Sequence, residues 1–215
     1  MSNPEQTRLY YETDELEGAA TIQRCFIHNG KPVAILDATL FHPQGGGQLG
    51  DTGWLNDIPV VDAKLVEGQV WLWLAIAIDI GDVNQRVNAE RRHHHSLLHS
   101  AGHLLGNAGQ ILGLMPVKGH HWPNECKVTF RNTAQCVIDA DALQTTIDEM
   151  LSTSMERFIV MSNGVREVGF GSLPAYPCGG THIASTREIG KINILTVTHK
   201  KMECSIGYAV EPRAI

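Results

Sequence analysis

Residues 89 to 112 carry the strongest periodicity in the chain, and few structures satisfy it. At about 100° per residue, with His95 as origin, Leu97, Leu98, Ala101, Leu104, Leu105, Ala108, Ile111 and Leu112 fall within one apolar stripe. The pattern predicts a helix from about Ala89 to Leu112 with that stripe turned to a core. His95, His99 and His103 fall outside the stripe, so three imidazoles line a second face at one-turn spacing, where main-core burial is not what puts them. Gly102 and Gly106 share this second face, although Gly costs a helix interior about 1 kcal/mol relative to Ala. Either a ligand or another backbone approaches closely there, or neighbouring elements pack tightly.

The histidine face carries chemistry. HSAGH, residues 99 to 103, sets two imidazoles one turn apart, the spacing with which helical zinc sites hold their metal, though without the glutamate of HExxH. CGGTH, residues 178 to 182, adds a thiol and a third imidazole. Pro174, Pro177, Gly179 and Gly180 argue against a continuous helix around it, so Cys178 and His182 are expected on a folded-back loop. HxxxH alone is equally compatible with two surface histidines, but HxxxH with CxxxH offers an N, N, S, N donor set suited to zinc. His93, His94, His120 and His121 read as surface residues outside the metal shell. Five cysteines without framework spacing read as reduced thiols, and Cys126, Cys136 and Cys204 are not expected to ligate.

Before the helix, TIQRCFI, PVAILDATLF, GGQLGDTGWL, IPVVDAKLV and QVWLWLAIAI read as short strands too closely spaced for βαβ units. They predict a small N-terminal β-barrel-like domain over residues 1–87, with Trp71 and Trp73 as packing residues. Beyond it, KVTFRN, a helix from about Asp141 to Ser154, RFIVMS, ILTVTH and CSIGYAV predict an α+β domain over residues 88–215, with helices against an antiparallel sheet. Net charge is −6, the wrong sign for a protein whose main partner is a polyanion. The acidity is local, however, with 5 Lys+Arg against 12 Asp+Glu in residues 1–87 and 12 against 11 in the rest. Arg91, Arg92, Lys118, Lys200 and Lys201 are candidates for phosphate contact, with a solvated surface charge as the alternative for each. The polar N-terminal residues lack the character of a signal peptide, and the longest apolar run, Val70 to Ile78, is too short to span a membrane. The expected location is cytoplasmic.

FHPQGGGQLGDTG, residues 41 to 53, approaches the GxxxxGK[ST] spacing of a phosphate loop, but Asp51 stands where the lysine would meet phosphate and no βαβ texture surrounds it. A turn through Gly45, Gly46 and Gly47 fits better.

Together, FHPQGGGQLGDTG, the ERR ahead of HSAGHLL, and CGGTH followed by REIGKINIL resemble the AlaX-type alanyl-tRNA editing proteins, relatives of the editing domain of alanyl-tRNA synthetase. The resemblance covers about residues 35 to 197. It implies a zinc-dependent trans-editing hydrolase that removes serine or glycine from mischarged alanine tRNA and spares Ala-tRNA(Ala). It implies a Zn2+ site at His99, His103, Cys178 and His182, and the glycine-rich element points to the longer subtype with an N-terminal barrel-like domain. Gly45, Gly46, Gly47 and Gln48 then let that domain sit against the zinc site or the tRNA end, with Lys118, Lys200 and Lys201 contacting phosphate. Discriminating serine from alanine needs a group that hydrogen-bonds the serine hydroxyl, and Thr181 is the candidate. Where related synthetases carry Gln ahead of Lys-Gly, this chain has Val117, and Ser205 and Gly207 replace basic residues near the C-terminus. Four protein donors normally make a closed structural shell, whereas catalysis needs an open position, so whether all four bind at once is left open. A zinc-stabilised tRNA-binding module without activity, or a metallohydrolase for a small non-RNA ester, is the alternative reading.

Overall fold

The computed structural model describes residues 5–131, 138–200 and 202–213. Its elements make an α+β fold of largely antiparallel sheets with two helices, as the sequence pattern implies. The chain divides into two compact units, residues 1–45 with 49–93 and residues 46–48 with 94–215. Gly46, Gly47 and Gln48 thus count with the second unit, although their neighbours in sequence belong to the first.

In the first unit, β1 (Thr7–Arg8) pairs in parallel with β4 (Ala38–Thr39). The remaining strands are β2 (Glu17–His28), β3 (Lys31–Leu36), β5 (Gly53–Leu55), β6 (Ile58–Val66), β7 (Gln69–Leu74) and β8 (Gly81–Val87). They pair antiparallel in the order β2-β3-β7-β6-β5-β8, and β8 returns to β2, so each has two neighbours. The β2–β3 hairpin turns at Asn29-Gly30, both at positive φ, which matches the twist of the strands it joins. Alternate residues face inward: Val70, Leu72 and Leu74 are buried with Ile22, Leu36, Leu55 and Val83. Trp71 and Trp73 face the other way and pack as expected, Trp71 edge-on against Phe26 at 4.9 Å and Trp73 beneath the Lys64 ammonium at 5.4 Å. The apolar run overshoots its strand: β7 stops at Leu74, and Ile76 and Ile80 are 61% and 66% exposed. Apolar composition cannot show where strand partners end. GGQLGDTGWL likewise contributes only β5.

The GDT and ERR segments meet in a way that neither a phosphate contact nor a solvated charge anticipates. Arg92 is buried, and its guanidinium pairs with the fully buried Asp51 while donating to the Leu40 carbonyl at 2.6 Å. Asp51 also accepts from the His42 backbone N–H at 2.7 Å, and Arg91 donates to the Gly50 carbonyl at 3.2 Å. Asp51 and Arg92 therefore fasten the glycine-rich segment to the start of α1 (Ala89–Ile111), whose N-terminus Asn88 caps by accepting from Arg91 N–H at 2.9 Å.

In the second unit, β9 (Met115–His120), β10 (Lys127–Arg131), α2 (Ala140–Ser152), β11 (Arg157–Ser162), β12 (Val165–Phe170), β13 (Tyr176–Pro177), β14 (Ile189–Lys200) and β15 (Glu203–Pro212) follow. A four-stranded antiparallel sheet runs β14-β15-β10-β9, and a three-stranded one runs β11-β12-β13. The apolar stripe of α1 packs as expected from Leu97 to Ala108, against Val128, Phe130, Ile192 and Ile206 of the larger sheet and Leu143 and Ile147 of α2. Its last two members do not: Ile111 and Leu112 are 63% and 41% exposed, because the helix ends at Ile111. Asp139 caps α2, accepting from Asp141 and Ala142 N–H at 3.0 and 3.1 Å. MPVKGH and VREVGF, too short to stand out by periodicity, are strands.

Candidate metal centre

α1 supplies His99 and His103, and the loop after β13 supplies Cys178 and His182. One donor atom from each lies within 4.8 Å of all the others. Cys178 Sγ is 3.5 Å from His99 Nε2 and 3.3 Å from His182 Nε2, distances suited to ligands sharing one ion.

Two arginines hold the loop in place. Arg166 on β12 donates to the Cys178 and Gly180 carbonyls at 2.8 and 3.1 Å, and Arg157 on β11 donates to the His182 carbonyl at 2.8 Å. Glycine is required at 180 because a Cβ there would collide with the His99 ring. The histidine face is thus buried after all, with His95, His99 and His103 at 2%, 2% and 7% exposure. Periodicity assigns that face away from the apolar core correctly, but cannot show that a distant loop covers it.

Hydrogen-bond counting fixes the state of His99. Thr181 N–H can only donate, and it donates to Gln48 Oε1 at 3.1 Å, so the other amide atom, Nε2, is the one that donates to Thr181 Oγ1 at 2.8 Å. Gln48 Oε1 lies 2.7 Å from His99 Nδ1, which must therefore carry the proton, leaving the Nε2 lone pair for a metal. His182 Nδ1 is backed by Ser100 Oγ at 3.2 Å. Burial is the main reason that the pKa of His103 falls to about 4 and that of His182 falls well below the usual histidine range, so both are neutral ligand donors. Burial raises the Cys178 thiol pKa, and a bound cation is the partner that would stabilise its thiolate. The donor set fits a soft or borderline divalent metal.

A cavity of about 330 Å³ opens on three of these donors, His99, His103 and Cys178, and is lined also by Gly46, Val117 and Lys118. Gln48 is fully buried behind His99, and Thr181 lies beside it with its hydroxyl engaged by Gln48 and, at 2.7 Å, by Ser96. Gly47, at φ +79°, accepts from His121 N–H at 2.8 Å, and a Cβ there would collide with the Gly119 carbonyl. Gly45 and Gly46 are exposed, as are Lys118 and Lys200. Lys201 and Cys136 lie outside the described residues, and Cys126 and Cys204 are buried in the core away from the cluster. His93 and His94 are exposed as expected. His121 is not: it is 4% exposed and stacks on His99 with ring centroids 4.5 Å apart. Gly102 makes room for the His121 and Tyr208 side chains and Gly106 for Tyr176, so tight packing accounts for both helix glycines.

A family model for the threonyl and alanyl tRNA synthetase second additional domain matches residues 165–205, the segment containing Cys178 and His182. The alanine–tRNA ligase of Methanoculleus marisnigri is 29% identical over 231 aligned residues, covering 93% of this chain and 25% of the ligase. The chain is an editing-domain-like relative of alanyl-tRNA synthetase. Alanine–tRNA ligases of Saccharolobus islandicus and Acholeplasma laidlawii are 31% and 32% identical over 78% and 76% of this chain, each alignment covering 22% of the ligase. The chain therefore spans about a quarter of the length of the curated relatives it matches. Among its described residues no helix is long and apolar enough to cross a membrane.

The role of Gln48 in this synthetase-like chain yields a direct expectation. Gln48→Ala leaves His99 Nδ1–H without its acceptor and frees the ring to turn, so metal affinity should fall about 10- to 100-fold. Competition against a chromogenic chelator measures this; an unchanged affinity would show that the helix alone orients His99.

Proposed function

We propose that the protein is a zinc-dependent trans-editing deacylase that hydrolyses the aminoacyl ester of mischarged alanine tRNA, Ser-tRNA(Ala) and Gly-tRNA(Ala), and spares Ala-tRNA(Ala). The observation that carries this reading is a His99, His103, Cys178, His182 donor cluster facing a cavity, in a chain similar over most of its length to alanine–tRNA ligases. His99, His103, Cys178 and His182 would hold the ion, with residues 46–48 and 94–215 as the editing unit. A zinc ion bound there supplies Lewis-acid polarisation for ester hydrolysis.

The protein's own residues contribute position and exclusion. Gln48 and Ser100 aim two imidazoles, and Arg157 and Arg166 hold the carbonyls of the Cys178–His182 loop. The cavity volume suits the end of an aminoacylated strand rather than a duplex. Lys118 at its rim and Lys200 on β14 supply positive charge for the phosphates of a single-stranded 3′ end, which makes binding salt-dependent.

The test compares deacylation of Ser-tRNA(Ala) and Ala-tRNA(Ala) by the metal-loaded and the chelated protein. The loaded protein should clear Ser-tRNA(Ala) at least about 100-fold faster than Ala-tRNA(Ala), because a site built for a hydroxyl strands a buried polar group when that hydroxyl is missing. Chelation should abolish the difference. Salt-sensitive tRNA binding with Ser-tRNA(Ala) hydrolysed no faster than in buffer would overturn the enzymatic reading in favour of a binding module.

A further inference from the structure

Recognition of serine requires a hydrogen-bonding group in the cavity, and the side chains there leave few. The Thr181 hydroxyl is taken up by Gln48 and Ser96. Val117 is apolar, Lys118 is exposed, and the half-buried Tyr176 hydroxyl already donates to Gln110. His99, His103 and Cys178 belong to the metal cluster. His121 is the buried polar side chain of the lining that stands outside that cluster.

Its protonation follows from counting. Tyr208 Oη lies 2.8 Å from the Leu98 carbonyl and 2.7 Å from His121 Nδ1. A carbonyl only accepts, so the single phenolic proton goes to Leu98, and Nδ1 must carry the proton donated to Tyr208. In the neutral ring Nε2 is then the unprotonated nitrogen, an acceptor. It has no hydrogen-bond partner among the described residues, and it lies at the edge of the ring nearest Gly119, which also lines the cavity. The ring is wedged between Gly102 and Gly119, neither of which has space for a Cβ, and stacked on His99. It cannot turn away, and the acceptor is held one ring-stacking distance from a metal ligand.

We infer that His121 Nε2 accepts the side-chain hydroxyl of a seryl ester and is the specificity-determining residue of the site. The inference rests on the deacylase reading and deepens it. An alanyl ester leaves this buried acceptor unpaired, which disfavours its binding, whereas a neutral imidazole does not repel the ammonium that all aminoacyl esters carry.

His121→Phe keeps the stacked ring and removes the acceptor; Tyr208→Phe keeps the packing and removes the group that fixes the tautomer. Each is assayed for the ratio of Ser-tRNA(Ala) to Gly-tRNA(Ala) deacylation and for calorimetric binding of nonhydrolysable 3′-seryl- and 3′-alanyl-amino adenosines. His121→Phe should lower the Ser/Gly ratio about 10- to 100-fold and equalise affinity for the two analogues, and Tyr208→Phe should move both in the same direction. An unchanged ratio and an unchanged seryl preference in His121→Phe, with native activity present, overturn this inference and leave the deacylase reading standing. Equal losses toward both substrates and both analogues also overturn it, because they mark a structural or ammonium contact. A native protein that neither hydrolyses Ser-tRNA(Ala) nor binds either analogue ends the deacylase reading itself, and this inference with it.

Discussion

Replacing Cys178 with Ala is expected to lower metal affinity by roughly three orders of magnitude or more and to remove Ser-tRNA(Ala) deacylation with it. The thiol is the one anionic donor of the cluster, and its loss leaves three neutral imidazoles to compensate a divalent charge in a buried setting. The two arginines that hold the loop sharpen the effect, since Arg166 and Arg157 already contribute positive charge near His182. Metal content after dialysis against a weak chelator measures the first loss, and single-turnover deacylation the second. Cys126→Ala serves as the comparison, because Cys126 lies in the hydrophobic core and its replacement should leave metal content intact. Full metal occupancy in Cys178→Ala would remove the thiol from the ligand set.

The second large effect concerns stability. Asp51→Ala should destabilise the protein by about 3–5 kcal/mol, the range for breaking a buried ion pair by removing one partner. The Arg92 guanidinium is left buried without its counterion, and the His42 N–H loses its acceptor at the same time. The double variant Asp51→Ala with Arg92→Met strands no charge and should recover part of the loss. Urea unfolding of the three variants reads the difference directly. A loss below about 1 kcal/mol for Asp51→Ala would mean that water reaches the pair and screens it.

These two residues show where local sequence is informative and where it is not. Cys178 and its three partners were legible because metal ligation demands particular atoms at particular spacings, and HxxxH with CxxxH states both. Asp51 and Arg92 were not legible: a carboxylate in a glycine-rich turn and an arginine on an exposed-looking helix start carry no mark of being joined. His121 reads as a surface residue for the same reason. A histidine at the end of a short strand looks like surface until the Tyr208 relay and the His99 stack are known.

By itself, the sequence determined the helix with its apolar stripe, the alternating strands ahead of it, and the four ligand candidates. Each of these follows from local periodicity or from donor chemistry, and both are written along the chain. Only the tertiary structure decided that Asp51 and Arg92 fasten the glycine-rich segment to α1, that Gln48 stands behind His99, and that Tyr208 holds His121 at the cavity. Those relations join residues 41, 51 and 87 positions apart through burial and hydrogen bonding, and no local pattern encodes a partner at that separation.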